Sequence, residues 1–336
     1  MRPPTIDIIN FCNFSCRHCL VNNSAPPVFM DKELFSYLIG ELRLLGFRYA
    51  GITGSGELTL HPQLEDIFFC LAKHNISFEI LTNGYLFKER FFPLLKDPLI
   101  RKFAFRIGFS LDSHKPELHD WNRKEGSFRR VIEAIGLCKL LKIPFYIKTA
   151  VTNINKKDLR DILLFTSGLG AESQSFTFIE PTKNLIKENM LPDPEELYKI
   201  FTELIGWIKV FPRLKIEAFN TDNDLFTCNA FFKFGVDEEG NYLLCNNLSN
   251  VGTGNNYKGK ECLGNIKDNT LKDLIVKHLN LLPEILKWRF ERKKSIKNTP
   301  LSLCTWCYYQ FGKSDTWMKE YPESPWTKCL TSIYTD

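Results

Sequence analysis

The chain has 336 residues, of which 44% are hydrophobic; this is enough for one substantial core and a second, smaller module, and it excludes a disordered chain. A formal net charge of +5 is small for this length, so composition alone announces neither nucleic acid nor an anionic membrane as a partner. No apolar h-region follows a basic start and no apolar run approaches bilayer length, so a cytoplasmic protein is expected, whose 11 cysteines are to be tested as metal ligands before disulfides.

From Thr5 to about Phe178, short apolar runs alternate with loops carrying Gly, Asn or Asp and with helical periods, the pattern of parallel βαβ units. Strands are expected at residues 6–9, 49–53, 78–82, 103–110, 145–151 and 175–178. Leu34, Leu38, Leu42 and Leu45 recur at helical spacing after the N-cap candidate Asp31, and Gly46 closes the segment. Ser127 is expected to cap a helix carrying Val131, Ile132, Ile135 and Cys138. Six such units without a seventh and eighth predict an α/β fold, a partial (β/α)6 TIM-like barrel that is splayed open. Chemistry is then expected at the C-terminal ends of the strands.

After Glu180-Pro181 a polar connector leads to Asp193-Pro194, a helix opening, and the helix runs to about residue 210. Beyond it lie Cys228, a Gly240-Asn241 turn, Cys245, a basic helix from Thr270 to about residue 294, and Cys304-x2-Cys307. The expected division is 1–212 for the barrel and 213–336 for a small α+β module.

Cys12-x3-Cys16-x2-Cys19 directly follows the first strand, which puts three thiols at its C-terminal end. Three thiolates can hold three irons of a [4Fe–4S] cluster and leave the fourth open to a non-protein ligand. A structural zinc loop is the alternative; it wants a fourth ligand, for which His18 is the local candidate. Thr53-Gly54-Ser55-Gly56-Glu57 ends the second strand, Leu81-Thr82-Asn83-Gly84 the third and Ser110-Leu111-Asp112 the fourth, with Arg123 in the segment that follows. Taken singly, these are an ordinary βα loop, a turn, a capping Ser and a solvated Arg.

Cys228 and Cys245, spaced Cys-x11-Gly-x4-Cys, fit the ends of a β-hairpin. With Cys304 and Cys307 they make four thiolates, a closed site for a second [4Fe–4S] cluster or for zinc. Cys70 and Cys138 sit among apolar helical residues and read as buried small hydrophobes. Cys262 and Cys329 remain as spare ligands or candidate thiol hydrogen donors, whereas His61, His74, His114 and His278 have no ligand spacing. The basic run Lys287, Arg289, Arg292, Lys293, Lys294 and Lys297 is a solvated helix face or an attractor of acidic peptide or phosphate.

Taken in order, the segments around Cys12 to Cys19, Gly54 to Glu57, Asn83, Ser110 and Arg123 resemble the radical S-adenosylmethionine (SAM) superfamily over the first two-thirds of the chain. The C-terminal cysteines resemble its SPASM/twitch auxiliary-cluster modules in single-cluster form. One departure is Leu58, where the family pattern has Pro after Glu.

The resemblance implies SAM on the open iron of a [4Fe–4S] cluster, with His18 beside the adenine. Gly54, Ser55, Gly56 and Glu57 would meet the methionine ammonium group, Asn83 the ribose hydroxyls, and Ser110 and Arg123 the carboxylate. It further implies reductive cleavage of SAM to a 5′-deoxyadenosyl radical that abstracts hydrogen, in an oxidoreductase or carbon-modifying enzyme. The electron would come from a donor such as flavodoxin or ferredoxin, with no membrane or nucleic acid partner. The expected substrate is a peptide or protein side chain, modified by oxidation, crosslinking or epimerisation. The alternatives are a small sugar or aminocyclitol that is dehydrogenated or epimerised, and a non-catalytic iron–sulfur electron carrier. The last would leave Glu57, Asn83, Ser110 and Arg123 unexplained.

Overall fold

The computed structural model describes residues 3–21, 26–217, 233–249, 259, 261–296 and 303–332. Among the described residues ten strands form one sheet: β1 (Thr5–Asp7), β2 (Tyr49–Thr53), β3 (Ser77–Thr82), β4 (Ala104–Ser110), β5 (Phe145–Val151), β6 (Ser173–Phe178), β7 (Leu214–Glu217), β8 (Gly235–Val236), β9 (Asn241–Leu243) and β10 (Cys262–Asn265). Their spatial order is β10-β9-β8-β1-β2-β3-β4-β5-β6-β7. Strands β1 to β7 run parallel, so the sheet is an open partial barrel with β7 and β10 at its edges.

All six expected strands are present. A seventh parallel strand, β7, begins just past residue 212 and pairs with β6; at four residues its Leu214/Ile216 alternation is too short to stand out in the sequence. At the other side β8 pairs parallel with β1 and antiparallel with β9. The hairpin that turns at Gly240, where φ is +90°, therefore prolongs the barrel sheet.

The helix Lys32–Leu44 starts as expected, with the Leu34 N–H donating to Asp31 Oδ1 at 2.8 Å, and it buries Phe35, Leu38, Ile39 and Leu42. Helix Pro194–Ile208 likewise opens on Asp193, whose Oδ1 accepts from Glu196 N at 2.8 Å. Helix Ser127–Leu140 differs from expectation: Ser127 makes no cap. The Asp120 carboxylate does so from outside, accepting from Gly126 N at 2.8 Å, Phe128 N at 2.7 Å and Ser127 Oγ at 3.0 Å. A carboxylate takes three donors at a helix N-terminus where a hydroxyl takes one, and its charge suits the dipole.

Phe78 and Ile80 of β3, Ile107 and Phe109 of β4, and Phe145 and Ile147 of β5 face the surrounding helices in one continuous core. Phe234, Val236, Tyr242 and Leu263 from the C-terminal strands join that same core. A second core gathers Phe176 and Phe178 of β6 with Phe201, Trp317, Trp326 and Leu330 from later helices. The concave face is polar: near the strand N-termini, Arg106 Nε donates to Glu79 Oε2 at 2.5 Å and lies 4.7 Å over the Tyr146 ring. Asp7 and Thr53 stand at its opposite, C-terminal rim. No helix among the described residues is long and apolar enough to cross a membrane.

Candidate cluster and SAM site

Cys12, Cys16 and Cys19 lie half-buried on the loop leaving β1, at the C-terminal end of the barrel strands as expected. The loop is fixed where it crosses the end of β2: Gly56 N donates to Ile9 O at 3.2 Å and Glu57 N to Phe11 O at 2.9 Å. A Cβ on Gly56 would stand 1.9 Å from Phe11 O, and one on Gly54 2.6 Å from Ile9 O. Both glycines are therefore required by backbone crossing backbone, a reason independent of any ligand.

Glu57 is buried and accepts four hydrogen bonds, from Thr59 N (3.2 Å), Thr59 Oγ1 (2.8 Å), Thr82 Oγ1 (2.6 Å) and Asn83 N (2.7 Å). It ties the ends of β2 and β3 together. Asn83 Nδ2 then donates to Asn13 Oδ1 at 2.9 Å and approaches Cys12 Sγ at 4.0 Å, while Asn83 Oδ1 accepts from Tyr85 N at 3.0 Å. Phe14 N also donates to Cys12 Sγ, at 3.4 Å. Ser110 ends β4 in register with Lys148 of β5.

On the other side of the loop the Arg123 side chain is largely covered. Its Nε and Nη2 meet the Asp112 carboxylate at 2.6 and 3.2 Å, and its Nη1 lies 4.0 Å from Cys16 Sγ. Asp112 is the hub: it also accepts from Asn122 Nδ2 (2.9 Å) and Ala150 N (3.1 Å), and its oxygen stands 3.7 Å from His18 Nδ1. Burial would push its carboxyl up, but Arg123 and His18 outweigh that and hold it well below the usual carboxylate range. Arg123 is correspondingly held above its ordinary value by Asp112 and Cys16, against the opposing effect of burial. Burial, reinforced by Arg123, lowers His119 to about 4; its Nδ1 accepts from Asp112 N at 3.2 Å.

These residues fit an iron–sulfur cluster. Burial pushes the Cys12 thiol up to about 12 and Cys16 up to about 11, so metal binding must displace their protons, and N–H donors already aim at two sulfurs to support the resulting anions. Among the described residues no three Cys, His, Asp or Glu side chains converge as a single metal ion requires.

Of the C-terminal set, Cys228 lies outside the described residues. Cys245, Cys304 and Cys307 come together around the buried Tyr308, packed with Leu248, Phe311 and Leu20; Leu20 directly follows Cys19. The Tyr308 phenol is pushed well above its ordinary value by burial, Glu180 and these three cysteines. Asn246, next to Cys245, donates to Asp7 Oδ2 at 2.8 Å, and Thr53 Oγ1 to Asp7 Oδ1 at 2.5 Å. This buried bridge joins β1 to the second cysteine group.

Cys262 is on the edge strand β10, its Sγ 3.7 Å from Gly264 O, and Cys329 packs in the second core between outer helices. Cys138 is fully buried, as expected, and Cys70 packs against the same core. His61 and His278 are buried structural residues, bonded to Met30 O and Tyr242 Oη, both at 2.9 Å. Of the basic run, Lys287 is exposed, Lys297 lies outside the described residues, and the helix continues to Ile296. Sequence reasoning missed Asp7, Asn13, Asp112 and Asn246 as site residues; the available signal was an acid in an otherwise apolar strand and an acid directly after a strand end.

An open parallel sheet with three thiols on the loop after its first strand defines a class of cluster-bearing partial barrels. Residues 6–166 match the radical SAM superfamily, whose members use a [4Fe–4S] cluster and SAM. An uncharacterised protein of Methanocaldococcus jannaschii is 26% identical over 80% of this chain and 90% of its own length. The antilisterial bacteriocin subtilosin biosynthesis protein AlbA of Bacillus subtilis is 29% identical over 52% of this chain, but over only 39% of AlbA. The solved structure of anSMEcpe with bound AdoMet and Kp18Cys peptide has the same fold at a TM-score of 0.66, 19% identity and 99% coverage of both chains.

Proposed function

We propose that this chain cleaves SAM reductively and modifies a peptide or protein side chain, with 1–212 as the catalytic core and 213–336 as a module carrying one auxiliary cluster on Cys228, Cys245, Cys304 and Cys307. The carrying observation is the gathering of Cys245, Cys304 and Cys307 beside the polar mouth of a barrel that already holds the N-terminal thiol loop. Similarity to AlbA, a bacteriocin biosynthesis protein, supports a peptide as the substrate class.

When bound, the N-terminal cluster and SAM supply a hydrogen-abstracting 5′-deoxyadenosyl group. Cys12, Cys16 and Cys19 hold the cluster. Asn83 and Arg123, each 4.0 Å from a sulfur of the triad, brace the loop and would offer donors to SAM when it is bound. Asp112 fixes Arg123 and stands 3.7 Å from His18 Nδ1. Ser110 and the glycine turn Gly54 to Gly56 offer hydroxyl and backbone groups to the methionine end. Cys228, Cys245, Cys304 and Cys307 would supply four thiolates to an auxiliary cluster, which would take up a second electron in a net oxidation; Cys262 and Cys329 are the thiols to test for a redox-neutral hydrogen return.

The test is incubation of reconstituted, reduced protein with SAM and candidate precursor peptides encoded beside its gene. A peptide two hydrogens lighter, with no deuterium gained at the reacting carbon in heavy water, supports oxidation. An unchanged mass in ordinary water, with one deuterium incorporated in heavy water, indicates epimerisation, and turnover of sugars but of no peptide overturns the substrate class.

A further inference from the structure

Radical SAM chemistry needs one electron per cleavage, and the segment following the helix Pro116–Asn122 has two faces toward the cluster loop. Arg123 points inward to Cys16 Sγ. Its neighbours Trp121 and Lys124 are exposed, Trp121 by 50%. The exposed Arg17, covalently next to Cys16, lies 4.1 Å over the Trp121 ring and donates from Nε to Trp121 O at 3.2 Å. Lys124 Nζ donates to Asn13 O at 3.4 Å and lies 4.6 Å over Tyr85 and 5.5 Å over Phe14, whose own N–H reaches Cys12 Sγ.

We infer that the cationic–aromatic face formed by Arg17, Trp121, Lys124 and Tyr85 is the docking surface for an acidic one-electron carrier protein of the flavodoxin or ferredoxin type. This rests on the radical SAM reading of the loop beneath it. The partners of Arg17 and Lys124 are carbonyl oxygens and ring faces, so their charges remain for a partner's carboxylates, with Glu125 the exposed acid beside them. Nearby Lys88 and Arg130 are already paired, with Glu133 and Glu89. Arginine and aromatic side chains are favoured at interfaces, and unlike charges steer weak, short-lived electron-transfer encounters. Arg17 adjoins Cys16 in the chain, and Lys124 holds the carbonyl of Asn13, which adjoins Cys12. In the transfer the donor is oxidised by one electron and the cluster on Cys12, Cys16 and Cys19 is reduced by one; no bond forms or breaks.

The experiment compares the reconstituted protein with its R17E/K124E variant in two assays. Binding is read from the fluorescence anisotropy of a labelled acidic flavodoxin at low and high salt. Cleavage of SAM to 5′-deoxyadenosine is driven either by reduced flavodoxin or by dithionite, which needs no docking surface. The expected result is a complex weakened at least about tenfold at low ionic strength, a flattened salt dependence, a parallel loss of the flavodoxin-driven rate, and an unchanged dithionite-driven rate. Unchanged flavodoxin affinity and rate in the variant would overturn the assignment. Should charge reversal lower the iron content, R17A/K124A with full iron serves for the same comparison. Absence of dithionite-driven cleavage in the unsubstituted protein would count against the radical SAM reading instead, and the anisotropy assay, which needs no turnover, still decides the surface.

Discussion

The two thiol groups of this protein are built in opposite ways. The N-terminal one is contiguous in sequence and sits in a polar cage, with Asn83 and Arg123 facing its sulfurs and a buried carboxylate, Asp112, behind them. The C-terminal one is assembled from distant segments around Tyr308, Leu248 and Phe311. A polar cage holds charged donors against sulfur and shapes a space for a charged ligand, while an apolar one excludes water from a closed site. The first arrangement suits an iron that takes up an outside ligand, the second a closed cluster that exchanges electrons only.

The largest effect should come from the thiols themselves. Replacing Cys12, Cys16 and Cys19 by Ala should remove about four irons per chain and all SAM cleavage while sparing the C-terminal cluster. Replacing Cys304 and Cys307 should remove the other four or so and leave SAM cleavage uncoupled from substrate. Iron analysis with 5′-deoxyadenosine assays checks both, and loss of all iron in the first variant would erase the proposed independence.

Next in size is the Asp112–Arg123 pair. Arg123→Ala leaves a buried carboxylate unpaired, so thermal unfolding should show destabilisation of about 3–5 kcal/mol, with iron loss at the N-terminal site. Intact iron and stability in that variant would make Arg123 a ligand contact alone.

His119 adds a pH signature to the polar cage. Its folded value of about 4 lies below the unfolded 6.5, so its contribution is full above pH 6.5 and is lost as pH falls toward 4, by about 3 kcal/mol. The unfolding midpoint should drop across that window and the drop should shrink in His119→Asn; equal slopes would remove His119 from the account. The smallest effect is expected from Asn83→Ala, which should weaken SAM binding by about 1–3 kcal/mol with both clusters' iron retained, as calorimetric titration would show.

What could be read from the sequence follows the same divide. The cysteine triad was legible because its spacing is local and its place after a strand fixes where it points. Arg123 was legible as a chemical type, but not its partner: Asp112 is 11 residues away and the pairing depends on how β4 and the following helix pack. The glycines at 54 and 56 were marked, yet their need comes from Ile9 and Phe11 crossing above them, a tertiary contact. The Asp7–Asn246 bridge spans 239 residues and rests on a parallel pairing of β8 with β1 that no local pattern encodes. Asp120 displaced Ser127 as helix cap for a similar reason, because a stronger acceptor arrived from the preceding helix.

The most direct test of the account is anaerobic reconstitution of the unsubstituted protein, followed by iron and sulfide analysis and incubation with SAM and dithionite. The account predicts about eight irons and eight sulfides per chain together with conversion of SAM to 5′-deoxyadenosine and methionine. A protein that takes up zinc alone, or that binds iron and sulfide yet leaves SAM intact, would contradict it.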